Sequence, residues 1–165
     1  MDVFCTSLGA AIADGMTGPT RPLPDTAKWL GYAGLLPQAV AVALILNDPT
    51  LKWIAVAGGY GYAALIFSFL GGAWWGLALN AANPPRWLLP VAVLPSLIAL
   101  ATYLPWIWGL QWPEPSLWVL AFGLLLSPLV DRALGRHIAL PEGWLRLRVH
   151  MSVGLGLLTA LLALT

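Results

Sequence analysis

From Ala57 to Asn80 the chain reads AGGYGYAALIFSFLGGAWWGLALN and carries no charged side chain. Ala64, Ser68, Gly72 and Gly76 recur every four residues, which on a helix aligns them as one narrow stripe of small side chains ending at Asn80. So many glycines would weaken a helix in water. In lipid the backbone has no solvent to bond, so the helix persists, and small residues let a second helix approach closely. The stretch therefore reads as a central membrane helix whose helix-packing positions are Ala64, Ser68, Gly72 and Gly76. Composition agrees: 59% of the 165 residues are hydrophobic and 9% are charged, against about 25% charged in soluble domains. A net charge of +1 gives no electrostatic footprint for nucleic acid. The single cysteine, Cys5, excludes an intramolecular disulfide, a CxxC redox pair and a cysteine-rich metal site.

The expected fold is an all-α membrane protein, a five-transmembrane-helix bundle. Residues 1–28 read as a flexible cytoplasmic tail, because the run GMTGPTRPLPD cannot hold a helix. No charged n-region, apolar core and small-residue cleavage site opens the chain, so the first apolar helix is expected to act as the insertion signal. The membrane domain, 29–165, divides into spans at about 29–46, 53–79, 87–104, 116–130 and 144–165. Pro37 is expected to kink the first span and free a carbonyl for Gln38 or a neighbouring helix. The short turn NDPT makes the first two spans antiparallel neighbours. Pro95 bends the third, the segment Tyr103 to Pro115 reads as an interfacial loop, and Pro128 distorts the last turn of the fourth. In the fifth, the uncharged part from Met151 to Leu164 is shorter than the roughly 20 residues a span needs. Arg148 and His150 must then lie near a membrane surface.

Five spans put the termini on opposite sides. Arg21, Lys28, Arg86, Arg132, Arg136, Arg146 and Arg148 then fall with the N-terminus and Lys52 alone falls opposite, seven of the 8 basic residues on one side. The positive-inside rule places the N-terminus in the cytoplasm and the C-terminus in the periplasm of a bacterial inner membrane. Trp29, Trp53, Trp87, Trp118 and Trp144 lie at span starts, where amphipathic rings settle at headgroup depth. Trp74 and Trp75 lie inside the second span and are candidates to line a ligand site.

The segments LGYAGLLP at Leu30 to Pro37, YGYAALIFSFLGGAWWGLAL at Tyr60 to Leu79, the Asp131–Arg132 pair and PEGWLRLR at Pro141 to Arg148 resemble the bacterial domain of unknown function 3429 family, whose eukaryotic relative is the mitochondrial transmembrane protein 69. The resemblance covers roughly Trp29 to Thr165. It implies a multi-pass protein of the bacterial inner membrane and carries no established activity, cofactor or catalytic residue. Relatives commonly have a histidine where Trp74 stands, so chemistry at that histidine is not available to this chain. The run NPPRW at Asn83 to Trp87 is similar to the porphyrin-binding tryptophan-rich sensory proteins, but the remaining motifs of those proteins do not line up.

Asp131, Arg132, Arg136, Glu142, Arg146 and Arg148 gather between the fourth and fifth spans. Two readings apply: an ion-pair network that fixes how the helices meet, with Asp131 pairing to Arg146 or Arg148, and a grip by the surplus arginines on an anionic lipid headgroup. His137 and His150 have no Cys, Asp or Glu at metal-ligand spacing, and no cofactor is expected. No nucleophile–base constellation or phosphate-cradling glycine loop is present, and Gln38, Ser68, Ser96 and Ser127 are the clearly polar residues well inside the spans. Without an ionisable relay mid-membrane a charge-coupled transporter is not expected. The leading reading is a non-enzymatic accessory, scaffold or assembly subunit of a larger membrane complex. The alternative is a membrane protein that binds a hydrophobic ligand: a lipid, quinone or tetrapyrrole.

Overall fold

A computed structural model describes residues 22–110 and 113–165. The chain order is α1 (Asp25–Ala33), α2 (Leu36–Asn47), a 3-10 turn (Pro49–Leu51), α3 (Lys52–Asn80), α4 (Leu88–Ile107), α5 (Glu114–Leu134) and α6 (Trp144–Ala163). With α1 and α2 counted together, five segments are long and apolar enough to cross a membrane. At 29 residues α3 is the longest helix. Its length of about 43 Å at 1.5 Å per residue exceeds the roughly 30 Å of hydrocarbon. It is also the centre of the bundle, touching α2, α4, α5 and α6, while α5 and α6 pack along each other. Most of the buried apolar side chains form one cluster, among them Val42, Tyr60, Phe67, Leu120, Leu124 and Leu155. A second cluster, Trp74, Ala78, Leu88, Ala92 and Leu134, closes one end.

Prolines decide several boundaries. The first span is broken rather than bent: α1 stops at Ala33, Gly34 and Leu35 form a tight turn, and α2 begins at Leu36. Pro37 has no N–H for the carbonyl one turn back, so the ladder cannot run through. At the break the Gly34 carbonyl accepts the Tyr62 hydroxyl of α3, the neighbouring-helix partner of the two expected, while Gln38 donates to Thr159 Oγ1 at 2.9 Å. The expected loop from Tyr103 is helical to Ile107, because Pro105 falls in the last turn of α4. There the left-handed Gly109 (φ +68°) turns the chain so that the Leu110 N–H reaches the Pro105 carbonyl at 2.9 Å.

In α5, Pro128 leaves the Leu124 carbonyl without its usual donor, and the Ser127 hydroxyl supplies one at 2.8 Å, so the helix continues to Leu134. The tail reading changes as well. Lys28 belongs to α1, where it pairs with Asp25 at 2.8 Å, and Pro22 lies bridged to Glu142 in the α5–α6 connection. The rest of the expected tail, with Cys5, lies outside the described residues.

The helices are joined by hydroxyls that repeat one arrangement. Thr102, Ser127 and Thr159 each donate to a carbonyl one turn back in their own helix, at 2.7, 2.8 and 2.7 Å. A hydroxyl has one proton, so each must accept from the neighbouring helix: Thr102 from Tyr60 at 3.0 Å, Ser127 from Ser152 at 2.9 Å, Thr159 from Gln38 at 2.9 Å. Each joint gives a buried donor its acceptor in the neighbouring helix, while at the third the Gln38 Oε1 stays buried without a partner among the described residues.

Candidate functional site

The alternation of the helices brings the last third of α3, the last turns of α5 and the first turns of α6 to the same arginine-rich end. Three side chains meet there. Arg148 donates through Nε to Asp131 Oδ2 at 3.0 Å and through Nη2 to Oδ1 at 3.2 Å, a two-pronged pair. Trp74 Nε1 donates to the same Oδ1 at 2.8 Å. All three are enclosed, with Asp131 0%, Trp74 3% and Arg148 6% exposed. The guanidinium carbon of Arg148 also lies 5.8 Å from the centroid of the Trp144 ring, within cation–π range. Leu88 and Leu134 pack nearby in the cluster that includes Trp74. A carboxylate that takes three N–H donors in a low-dielectric pocket is held as an acceptor. Its place is structural, tying α3, α5 and α6 together.

Of the expected ion-pair network, the described residues show the pair of Asp131 with Arg148. Arg132, Arg136 and Arg146 are exposed, and none of them forms an ion pair or hydrogen bond among the described residues. His137 is exposed, while His150 Nδ1 stands 2.9 Å from the Tyr32 hydroxyl. Among the described residues no group of three or more His, Cys, Asp or Glu could hold a metal ion. Trp74, a candidate ligand-lining residue, gives its N–H to Asp131 while its ring lines a cavity of about 210 Å³ with Phe67 and Pro95, and Trp75 points outward at 42% exposure. That Trp74 closes the charge joint was not read from the sequence. The available signal was its depth, since an antiparallel α3 must end beside Asp131.

The small-residue stripe is displaced from its expected role. A Cβ placed on Gly72 or Gly76 would meet nothing within 4 Å among the described residues, so neither packs closely against a described helix. The close contacts fall on the adjoining face, where a Cβ on Gly71 would collide with the Ala92 carbonyl oxygen and one on Gly59 with Leu162. Phe67, between them, fills the space that Gly123 of α5 leaves. The two glycine pairs divide the same way: Gly59 and Gly71 face inward, Gly58 and Gly72 outward. Ala64 and Ser68 floor a groove of about 510 Å³ between α3 and α4, whose outer end is framed by Trp53, Tyr103 and Trp106.

Five apolar spans around a buried charge joint define a multi-pass membrane protein. The family model described as Protein of unknown function (DUF3429) matches residues 23–164, and the chain belongs to that family. It is also similar to Transmembrane protein 69 of Xenopus tropicalis, at 39% identity over 83 residues that cover 48% of this chain and 32% of that protein. The match thus spans about a third of the relative's length. No solved structure matches the chain.

Proposed function

We propose that the protein is a non-enzymatic accessory or assembly subunit that docks through the outer face of α3 against a transmembrane helix of a larger membrane complex. The observation that carries this reading is the set of outward glycines. Gly58, Gly72 and Gly76 have open space where a Cβ would stand, yet each costs its helix about 1 kcal/mol relative to alanine. Among the described residues nothing packs into that space in return. A second helix, brought within backbone reach of Gly72 and Gly76, accounts for them. The full engagement of Asp131 by Arg148 and Trp74 supports a structural rather than a proton-moving role for this buried carboxylate. The bias of basic residues supports a bacterial inner membrane with the N-terminus cytoplasmic and the C-terminus periplasmic. The exposed Arg132, Arg136 and Arg146 would then lie against anionic headgroups on the cytoplasmic face.

The test is purification of the tagged protein from its native membrane in mild detergent, as wild type and as Gly72→Leu/Gly76→Leu. The expected result is stoichiometric partner subunits with the wild type and their loss from a variant that melts at the same temperature. A wild-type protein that emerges alone, or paired only with itself, overturns the accessory reading.

A further inference from the structure

The groove between α3 and α4 ends in a serine hydroxyl that makes no hydrogen bond among the described residues. Ser68 lines its inner end, about 22 Å along α3 from Trp53 at 1.5 Å per residue and close to the middle of that helix. Register sets what stands opposite. Tyr60 bonds Thr102, and Gly71 faces Ala92 and Pro95, so antiparallel α4 brings Ser96 to the depth of Ser68. Ser96 is also on the same side of α4 as the groove residues Ala99, Leu100 and Tyr103, at helical spacing. Thr102, Ser116, Ser127, Ser152 and Thr159, the buried hydroxyls, all make hydrogen bonds. Ser68 is half-buried and Ser96 exposed on the lipid-facing side, and neither makes one among the described residues. In hydrocarbon there is no water to serve them.

We infer that this groove binds a membrane-dissolved molecule of the quinone class, its carbonyl oxygens accepting from Ser68 and Ser96. Depth selects the class. A phospholipid cannot bring its ester carbonyls to mid-bilayer, and its tail offers no acceptor there, whereas an uncharged quinone ring is at home in hydrocarbon and presents only acceptors to hydroxyl donors. The floor of Ala57, Gly61 and Ala64 is flat enough for a slender tail, and Trp53, Tyr103 and Trp106 give that tail an aromatic exit at the membrane surface. The groove lies beside the Gly72 and Gly76 half of α3, so ligand binding and helix docking can fail separately. Binding alone is inferred, with no electron transfer.

The test is a titration of the full chain in phospholipid nanodiscs with a short-tailed ubiquinone, read by quenching of tryptophan emission. A saturable component is expected, because Trp53 and Trp106 border the groove. Gly61→Leu, at a position where a Cβ meets nothing within 4 Å, should fold normally and abolish that component. Ser68→Ala/Ser96→Ala should weaken it by roughly fivefold to a hundredfold, the range for two lost hydrogen bonds. Quenching that rises linearly with quinone and is the same in Gly61→Leu reports partitioning into lipid and overturns the site. Saturable binding unchanged by the serine double variant overturns the quinone assignment, since an apolar tail alone would then fill the groove.

Discussion

The two ends of the bundle are fastened by different chemistry. At the arginine-rich end α3, α5 and α6 converge on a charged pair whose carboxylate takes three N–H donors, and the three side chains are enclosed. At the opposite end a neutral contact, Tyr60 to Thr102, joins α3 to α4, and immediately beside it the helices part around the groove. The difference follows from electrostatics. A buried charge tolerates no gap, because an unmatched ion in low dielectric costs far more than a neutral hydroxyl, so surrounding side chains must close on it. A hydroxyl satisfied by its own helix makes no such demand, and the neighbouring surface is left free to be shaped for something else.

The sharpest way to break this comparison is to remove one member of the charged pair. Asp131→Asn should destabilise the protein by about 3–5 kcal/mol, the cost of stranding a buried partner. Asp131→Asn combined with Arg148→Met should recover much of the loss. Thermal or denaturant unfolding in detergent reads both, and simple additivity would mean that the pair is not a coupled unit. A second contrast sets the two faces of α3 against each other. Gly71→Ala must displace the Ala92 backbone and should cost about 1–3 kcal/mol, as overpacking does. Gly72→Ala one position on meets nothing and should be neutral or gain up to about 1 kcal/mol from helix propensity. Equal effects would return the packing face to the stripe expected from sequence. At the groove end, Tyr60→Phe should lose about 1 kcal/mol, the worth of one hydrogen bond, well below the loss at the charged end.

Much of this architecture is legible in the residues, and the misreadings have physical causes. The spans are legible because charge is nearly absent from them, and Asp131 with Arg148 because few carboxylates and cations lie at the same depth near span ends. The face of α3 is not, since Gly58–Gly59 and Gly71–Gly72 each offer two glycines about 100° apart around the helix. A four-residue repeat fits either one. Only the fit of Phe67 against Gly123 and of Gly71 against Ala92 chooses between them, and both partners come from distant helices. Prolines mislead for a related reason. Pro128 and Pro105 look like ends, but Ser127 replaces the missing donor in one case, and in the other α4 still runs to Ile107. Thr102, Ser152 and Thr159 pass for ordinary span residues because their role appears only when a hydroxyl meets the helix beside it.

The smallest expected effect concerns pH. Asp48 sits in the turn that joins α2 to α3 at the groove end, where its Oδ1 accepts from the Thr50 hydroxyl at 2.7 Å and from the Thr50 N–H at 2.9 Å. Those hydrogen bonds, the side-chain one foremost, hold its carboxyl below the ordinary aspartate range. A group whose folded pKa is depressed contributes stability that is complete above its unfolded pKa and is lost as pH falls through the folded one. Acid should therefore loosen this turn, with the change setting in just below the usual aspartate range. Asp48 is fully exposed, so water screens the gain and the effect should be slight. Hydrogen exchange at the Thr50 amide, followed from neutral pH downward and corrected for intrinsic rates, should show protection fading in that window. Asp48→Asn, which keeps an acceptor oxygen but has no proton to gain, should remove the pH dependence. A Thr50 amide whose protection falls with pH equally in both proteins would place the acid-sensitive element elsewhere.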